Sequence, residues 1–275
     1  PSLSMILYGA IADTSIVKLF VAGIIPGILG GLGLGMLCYY YARKYNMPRE
    51  AAFSLSTLGK AFREAFWALT LPVIILGGIF GGFVTATEGA GLAVLAALVI
   101  GGLVYRELNL QVLYRAVIDG VIQTSVVMLL VATSAVLGLF LTEMQLPQQL
   151  AQEITALTTN PIAVLALLNI LLLLLGMFLH GAAAIILVVP IVMPLIQQIG
   201  IDPIHFGLIL TLNLAIGQQT PPVASVLATS CSIAKTDMWE TTKVNLPMIF
   251  VLFLVLMLVT YVPAIPMSLV EYFYG

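Results

Sequence analysis

An apolar run in the C-terminal part of the chain is interrupted by polar residues and then resumes. Positions 206–217 are apolar over about three helical turns, Gln218 to Pro222 break the run, and apolar residues return over 223–231. Two adjacent prolines end a helix, because proline lacks the backbone N–H and clashes with the preceding turn. In hydrocarbon, each freed backbone group costs several kcal/mol unless protein, water or an ion satisfies it. The pattern therefore predicts a discontinuous helix whose break lines a binding cavity.

A second break interrupts the long apolar run upstream of the first. The apolar residues reach Leu179, turn small and polar at His180 and Gly181, and resume over 183–196. This second arm contains two prolines and is shorter than the roughly 20 residues that a membrane span requires. The short arm favours a helical hairpin that enters and leaves the membrane on one side, with His180 and Gly181 at its tip. A single long kinked helix is the alternative.

The remaining apolar runs predict further spans and several amphipathic helices. Helical spacing of apolar residues opposite charged ones favours helices lying on the membrane surface over solvated loops. The run over 72–104 is too long for one straight span, whereas residues 2–12 are too few to cross and predict half of a broken helix. The predicted spans are 16–41 (interrupted by Pro26), 126–141 and 161–179, and the predicted amphipathic helices are 58–69, 109–124 and 147–157.

The composition is that of an integral membrane protein. Of the 275 residues, 61% are hydrophobic and 8% are charged, against about 25% charged in a soluble domain. Long runs of Leu, Ile, Val, Ala and Gly favour membrane helices over the alternating strands of a β-barrel, so the predicted fold class is all-α. The net charge of −2 gives no reason to expect a nucleic-acid partner. We interpret Cys38 and Cys231, both in apolar runs, as buried thiols without a disulfide or a metal.

Positive charge is concentrated between the first long span and the run that begins at residue 72. Half of the ten Lys and Arg residues lie there, and the positive-inside rule predicts that this segment is cytoplasmic. A single crossing by 72–104 would then place Arg106 and Arg115 on the opposite side, so the topology beyond this point stays open. The clustered residues are Arg43, Lys44, Arg49, Lys60 and Arg63.

Glu88 is the only acidic residue between Glu64 and Glu107. An ionisable side chain at membrane depth is a functional candidate, and Thr85 and Thr87 place hydroxyl groups beside it. The alternative is that Glu88 caps the start of a helix near the headgroups, together with the threonines. The sequence leaves both interpretations open.

The two ends of the chain resemble each other. Both contain a short apolar arm, a polar break and a following span, and three positions match at one constant offset. An internal repeat with broken helices at corresponding positions is the best sequence indicator of a secondary-transporter site. Because the chain begins inside an apolar element and without methionine, we also expect further sequence on its N-terminal side. The matched pairs are Ser4 with Ser225, Ser15 with Thr236, and Pro26 with Pro247.

Several motifs follow one another from the first residues to the second broken helix. They are Pro1 to Gly9 with Lys18 to Gly23, Gly81 to Gly89, Gly200 to Pro203 with His205 to Gly207, and Asn213 to Gly217 followed by Thr220 to Val223. Together they resemble the large membrane subunit of TRAP transporters, the DctM type. The resemblance covers essentially the whole chain and corresponds to the C-terminal two-thirds of that subunit. His180 stands where an aspartate is common in the family, and Gln218-Gln219 replace a more apolar pair.

The resemblance implies a secondary transporter with three components. A periplasmic substrate-binding protein delivers an organic anion, typically a C4-dicarboxylate or a sugar acid such as sialic acid, and sodium drives its uptake. A small membrane subunit of the DctQ type braces the large one in the bacterial inner membrane.

The resemblance also implies an inverted-repeat fold like that of the ion transporter superfamily, in which a transport body slides like an elevator against a scaffold. The implied division is 1–42 for the end of the first repeat, 43–160 for spans and arm helices, 161–200 for the re-entrant hairpin, and 201–275 for the second broken helix and the final span.

A broken helix offers two kinds of binding group. Its first half presents bare carbonyls and its second half presents bare N–H groups, and these carry opposite partial charges. Sodium fits the carbonyls of Gly217 and Gln219 with the hydroxyl of Thr220. A substrate carboxylate fits the N–H groups that follow Pro222, with the hydroxyl of Ser225.

We expect a second site at the N-terminal half-helix, where Ser2 and Ser4 would act together with the missing upstream half of that helix. The hairpin tip at His180 and Gly181 would close over the substrate. A proton-coupled carrier or a channel could use the same broken helices. We do not expect an enzyme, because the two histidines are far apart and no HExxH-like spacing is present.

Overall fold

The computed structural model describes residues 2–48, 54–158 and 160–275, and every regular element in these ranges is a helix. Seven helical segments of this described part are long and apolar enough to cross a membrane. These findings confirm the predicted all-α membrane class. The α-helices are α1 (Leu3–Ile11), α2 (Ile16–Ala22), α3 (Ile24–Lys44), α4 (Leu55–Phe80), α5 (Ala86–Val99), α6 (Leu110–Glu143), α7 (Leu146–Leu157), α8 (Pro161–Phe178), α9 (Gly181–Ile199), α10 (Pro203–Gly217), α11 (Ser225–Ala234), α12 (Met238–Tyr261) and α13 (Ala264–Tyr274), and a π-helical turn (Ile100–Val104) follows α5.

The helices form two compact units. The first comprises Pro1–Tyr45 and Val127–Gly275, and the second comprises Asn46–Val126. Both predicted breaks and the N-terminal half-helix belong to the first unit, whereas Glu88 belongs to the second. The division at residues 42, 160 and 200 that the family resemblance implies stays a prediction.

α10 is the centre of the first unit. Ten of its 15 residues are buried, and it packs against α8, α12, α9 and α2. The Asp202 carboxylate caps the helix by accepting hydrogen bonds from the N–H groups of Ile204 (2.7 Å) and His205 (3.2 Å). Pro203 occupies the first helical position, where no N–H is needed. The helix ends at Gly217, as the sequence predicts.

Tyr8 holds α1 against the start of α10. Its side chain is fully buried, its ring lies 6.4 Å from that of Phe206, and its hydroxyl donates to the Pro203 carbonyl at 2.6 Å. Gly207 provides the space, because a Cβ atom there would overlap the tyrosine ring. A helix of nine residues is too short to be stable alone. The predicted half-helix over 2–12 is therefore present and is stabilised by tertiary packing.

The second unit is built on α4 and α5, which a tight turn joins. Gly82 in this turn has φ +71°, a left-handed conformation that glycine adopts without steric cost. After α5 and the π-helical turn, the Tyr105 hydroxyl donates to the Glu64 carbonyl at 2.6 Å. This hydrogen bond connects the residue after the π-helical turn to the middle of α4.

Two predicted boundaries between surface helices and spans are wrong. The amphipathic helix 58–69 and the run from Pro72 form one 26-residue helix, α4, and segments 109–124 and 126–141 form one 34-residue helix, α6. A helix tolerates an internal proline at a cost of about 3 kcal/mol, and positions 124–126 contain no glycine or proline. At a rise of ~1.5 Å per residue, both helices exceed the ~30 Å hydrocarbon layer. Both helices are therefore long enough to hold their charged turns outside the hydrocarbon without a break.

The second arm of the predicted hairpin is longer than expected. α9 runs over 19 residues instead of 183–196, and it is long enough to span a membrane. Pro190 and Pro194 lie inside α9 without ending it, and α9 packs against α1 and α7. The break itself is confirmed, because Leu179 and His180 are extended and separate α8 from α9. The alternative of one long kinked helix is wrong, and entry and return on one side stays a prediction.

Three further expectations differ in detail. The span 16–41 breaks at Gly23 and not at Pro26, which lies in the first turn of α3, where its missing N–H costs little. Cys231 is buried but Cys38 is exposed on α3, because an apolar run in a membrane helix supplies lipid-facing as well as core positions. Arg49 lies outside the described residues. The helices predicted at 147–157 and 161–179 are confirmed as α7 and α8.

The matched segments at the two ends share local structure. α1 and α11 have nine and ten residues, and each precedes a turn with a left-handed residue, Asp13 (φ 49°) or Lys235 (φ 54°). Side chains of Ser15 and Asp237 then cap the next helices, α2 and α12. Beyond this point α2 ends before Gly23, whereas α12 continues to Tyr261. An inverted orientation of the two segments stays a prediction.

Gly207→Ala is expected to lower the free energy of unfolding by about 1–3 kcal/mol, the range of overpacked cores, because the new methyl group would overlap Tyr8 and press on Leu19. Gly31→Ala is the matched control, since nothing lies within 4 Å of a Cβ at that position of α3. The control should unfold at or slightly above the wild-type temperature, because alanine is the better helix former. Thermal unfolding of the purified protein in detergent measures both, and equal midpoints would contradict the prediction.

Candidate functional site

The break between α10 and α11 is present where the prolines predict it. Residues 218–224 leave the helical conformation, and α11 begins after Ala224, whose φ of 44° is left-handed. An alanine in this conformation costs roughly 1–2 kcal/mol. The surrounding contacts must therefore hold the chain in this redirected path.

The break between α8 and α9 lies directly against the break between α10 and α11. The backbones of Gly176 and Gly217 approach so closely that a Cβ on Gly217 would lie 2.7 Å from the Gly176 backbone. The N–H of Val223, inside the second break, donates to the carbonyl of Met177 at 3.3 Å. The two polar interruptions therefore form one site.

The hairpin tip belongs to the same site. A Cβ on Gly181 would lie 2.9 Å from the amide nitrogen of Gln218, so glycine lets the tip approach the break. His180 precedes α9 in the N-cap position, its side chain is exposed, and it makes no hydrogen bond to the helix N-terminus. The imidazole is thus available to solvent or ligand beside the break.

Oxygen atoms gather on the α10 side of the break. The Thr220 hydroxyl donates to the Ile216 carbonyl at 2.9 Å, which leaves its own lone pairs available as acceptors. The Gly217 carbonyl accepts one hydrogen bond, from the Thr220 N–H at 2.9 Å, and keeps a second lone pair. The Gln219 side chain accepts from the amide of Asn245 at 3.4 Å, which links this loop to α12. The structure brings Gly217, Gln219 and Thr220 into a single turn.

The α11 side of the break presents the start of a helix. Ser225 is the first residue of α11 and is half-buried, at the end of the helix that carries positive partial charge. The N–H of Val226 donates to the Gln218 carbonyl at 3.1 Å, and that of Val223 donates to Met177. Two of the N–H groups predicted to bind a carboxylate therefore have protein acceptors. Pro222 lies between them and the oxygen-rich turn and is exposed.

The N-terminal residues predicted for the site occupy a neighbouring helix. Ser2 caps α1, and its hydroxyl oxygen accepts from the N–H of Met5 at 3.2 Å, while Ser4 is half-buried. α1 packs against both α9 and α10. Ser2 and Ser4 thus lie on a helix that contacts one helix from each break.

Glu88 caps the start of α5. Its carboxylate accepts from the N–H and the hydroxyl of Thr85 at 2.8 and 2.9 Å, and the Thr85 hydroxyl oxygen accepts from the Glu88 N–H at 3.3 Å. This reciprocal arrangement is a capping box. Thr87 is exposed in the first turn. The structure thus shows the helix cap, and a functional role of Glu88 stays a prediction.

Two cavities adjoin the second break. One of about 410 Å³ lies between α8, α10 and α12, and it is apolar except for Thr220. The other, of about 220 Å³, lies between the break, α11 and α12 and contains the side chains of Gln219, Ser230, Thr241 and Asn245. The turn that holds the oxygen atoms is therefore bordered by an apolar space and by a smaller one lined by both polar and apolar side chains.

Sequence reasoning missed a buried polar cluster one helical turn before the break. Asn169 on α8, Asn213 on α10 and Thr260 on α12 are each at most 3% exposed, and hydrogen bonds join them. The available signal was a single polar residue inside an apolar run, since such residues in membrane helices usually face a partner. Gly176, which makes the close helix crossing possible, was missed as well.

A helical membrane unit in which two helix interruptions meet, with oxygen atoms that keep free lone pairs on one side and a helix N-terminus on the other, is typical of secondary transporters. Residues 1–265 match the family model described as "Tripartite ATP-independent periplasmic transporter, DctM component". The chain belongs to this family, which confirms the resemblance seen in the sequence.

Curated relatives extend the match along nearly the whole chain. The isethionate TRAP transporter permease protein DctMQ of Oleidesulfovibrio alaskensis is 42% identical over 97% of this chain and 42% of its own length. The sialic acid TRAP transporter large permease protein SiaM of Vibrio cholerae is 38% identical over 100% and 64%. The C4-dicarboxylate TRAP transporter large permease protein DctM of Pseudomonas aeruginosa is 36% identical over 98% and 63%. The chain thus spans less than two-thirds of the length of each of these relatives.

Gly217→Ala is expected to abolish the close approach of the two breaks, because its Cβ would lie 2.7 Å from the Gly176 backbone and the backbone cannot rotate away as a side chain can. We expect transport by the complete permease to fall at least tenfold, since a ~1 Å misplacement of binding groups costs about this much or more. Radiolabelled substrate uptake into proteoliposomes is the measurement. Gly27→Ala, with nothing within 4 Å of the added Cβ, is the control. Wild-type uptake by Gly217→Ala would contradict the assignment of the site.

Proposed function

We propose that this protein is the permease part of a sodium-coupled transporter that takes up a small organic anion across the bacterial inner membrane. A periplasmic substrate-binding protein delivers the anion, and a small membrane subunit supports the permease. Membership of the DctM family supports the general assignment. The observation that carries it is the close approach of α8 and α10 at Gly176 and Gly217, which brings the two helix breaks together.

Sodium binds at the oxygen-rich end of the break in this proposal. The Gly217 carbonyl and the Thr220 hydroxyl each keep a free lone pair, and the backbone carbonyl of Gln219 lies between them in the chain. Neutral carbonyl and hydroxyl oxygens at a helix C-terminus suit a hard monovalent cation, because the partial negative charge of that end adds to the attraction.

The anion binds at the other side, near Ser225 and the exposed side chain of His180. Sodium at Gly217 to Thr220 orders the segment that continues into the start of α11. The anion then binds to a segment that is already ordered, so each ligand raises the affinity for the other. Coupling of this kind requires no covalent step. Ser2 and Ser4 contribute from α1, and the hairpin tip covers the bound anion.

The substrate class follows from the relatives taken together. Their names specify isethionate, sialic acid and C4-dicarboxylate, and each of these carries at least one ionised oxyacid group. We therefore propose a small carboxylate or sulfonate as the substrate of this chain. We also propose an elevator movement in which the first unit, which holds both breaks, carries the anion across the membrane.

Uptake into proteoliposomes tests the proposal. The complete large permease and its small subunit are reconstituted, the substrate-binding protein is supplied outside with labelled isethionate, sialic acid or succinate, and sodium or potassium gradients are imposed. We expect saturable uptake of one of these anions that requires both inward sodium and the binding protein. Uptake that follows a proton gradient with no need for sodium would overturn sodium coupling, and non-saturable flux would indicate a channel.

Thr220→Val removes one proposed sodium ligand and keeps the shape of the side chain. We expect the sodium concentration for half-maximal uptake to rise about tenfold or more, because a hydroxyl ligand to an ion is replaced by a methyl group that cannot coordinate it. Thr133→Val is the matched control: its hydroxyl also donates to a carbonyl four residues earlier, that of Leu129 at 2.9 Å, but on an exposed part of α6. Sodium titrations of uptake compare the two variants, and identical sodium dependence would remove Thr220 from the site.

A further inference from the structure

The polar cluster of Asn169, Asn213 and Thr260 joins three helices in the core of the first unit. The Asn213 side-chain amide donates to Asn169 Oδ1 at 2.6 Å and to the Ile209 carbonyl of its own helix at 2.8 Å. The Asn169 amide donates in turn to the Thr260 hydroxyl oxygen at 3.2 Å. The exposed fractions of the three side chains are 3%, 0% and 1%, so no solvent competes for these bonds. We call this cluster the amide joint.

The amide joint lies close to the site along two of its helices. Asn213 precedes Gly217 by about one helical turn on α10, and Asn169 precedes Gly176 by about two turns on α8. These helices make the most extensive helix–helix contact of the unit. Their separation and register at the glycine crossing are therefore fixed by the joint on one side and by the two glycine backbones on the other.

Stability alone does not account for these residues. Within the described part of the chain, the Oδ1 atom of Asn213 is the buried side-chain atom that receives no hydrogen bond, and such an atom destabilises the fold. Apolar residues of similar volume at positions 169 and 213 would avoid this cost, since replacing both partners of a buried hydrogen bond is often neutral or stabilising. Leucine at these positions could not form the directional hydrogen bonds that fix the register of α8 and α12 against α10.

We propose that the amide joint is a positioning device for the proposed sodium and anion site, which it holds in register by fixing α8 and α12 against α10. The inference rests on the proposed function. Asn169, Asn213 and Thr260 themselves do not contact the ligands. They set the distance between the Gly217 turn and the hairpin tip, so their loss weakens ligand affinity more than it slows the transport step.

The test separates positioning from packing by means of a paired substitution. Asn169→Leu alone removes one of the two acceptors of the Asn213 amide and the donor to the Thr260 hydroxyl, and it should lower the unfolding temperature of the complete permease. Asn169→Leu combined with Asn213→Leu removes both amides, leaves only the Thr260 hydroxyl without its partner, and should recover part of that loss. The sodium concentration for half-maximal uptake should nevertheless stay raised about tenfold in the double variant, with the maximal rate changed by less than a factor of about three.

A milder pair keeps the inference testable even where the leucine variants fold poorly. Thr260→Ser retains the hydroxyl that accepts from Asn169, whereas Thr260→Val removes it. We expect wild-type sodium dependence for the serine variant and a severalfold weaker one for the valine variant. Thr211→Val is the control, because Thr211 on α10 donates only to the Gly207 carbonyl of its own helix.

Two results would overturn the proposal that the amide joint positions the site. One is a double leucine variant that binds sodium and the anion with wild-type affinity, which would show that the cluster contributes to packing and does not position the site. The other is equal behaviour of Thr260→Ser and Thr260→Val. Failure of the proposed function is distinguishable from these, since it would show as wild-type uptake that does not need sodium. In that case the same variants test the joint through the half-saturating anion concentration.

Discussion

A membrane interior leaves no freed backbone group without a partner, and this constraint organises the first unit. Each of its two interrupted helices releases carbonyl and N–H groups at the break. The structure brings the interruptions together, so that Val223 of one break donates to Met177 beside the other. Contact at this distance requires that neither crossing residue has a side chain, which explains glycine at both 176 and 217. The two breaks thus lie together because each supplies hydrogen-bond partners for backbone groups that the other leaves free.

α10 connects the two breaks to the other helices of the unit. It begins at a carboxylate cap on Asp202, is surrounded by helices along its length, and ends at the break. Near its start, the hydroxyl of Tyr8 ties the short helix α1 to it. Near its end, Asn213 connects it to α8 and, through Asn169, to α12. The geometry of the Gly217 turn therefore depends on contacts made along the full length of the helix.

The parts of the fold that the sequence predicted are those set by local chemistry. Adjacent prolines at 221 and 222 marked one break, because their rings and missing N–H groups prevent a regular helix there. Polar and small residues at 180 and 181 marked the other, because they interrupt the apolar run and glycine is a poor helix former. Helix boundaries inside long apolar runs were predicted less well. Pro72, Pro190 and Pro194 each suggested an end or a short arm, yet all three lie inside helices.

The contacts between helices could not be predicted at all. That Gly176 meets Gly217, or that Asn169 meets Asn213, depends on which faces pack together, and an apolar run gives no information about its partner. Glu88 shows the opposite limit. Thr85 and Glu88 have the spacing of a capping box, so the local pattern already contained the hydrogen bonds that the structure shows.

The hydrogen bonds of Val223 and Val226 have a consequence for how strongly this site can hold a ligand. Both N–H groups already donate to carbonyls of the protein, so an anion that uses them replaces one acceptor by another. The gain in binding free energy is the difference between the hydrogen bond to the anion and the hydrogen bond to the protein carbonyl, about 1 kcal/mol or less for each N–H group. This is far below the energy of a hydrogen bond formed by an N–H group that had no acceptor before. A binding site that returns its donors to the protein after the cargo leaves is suited to repeated loading and unloading.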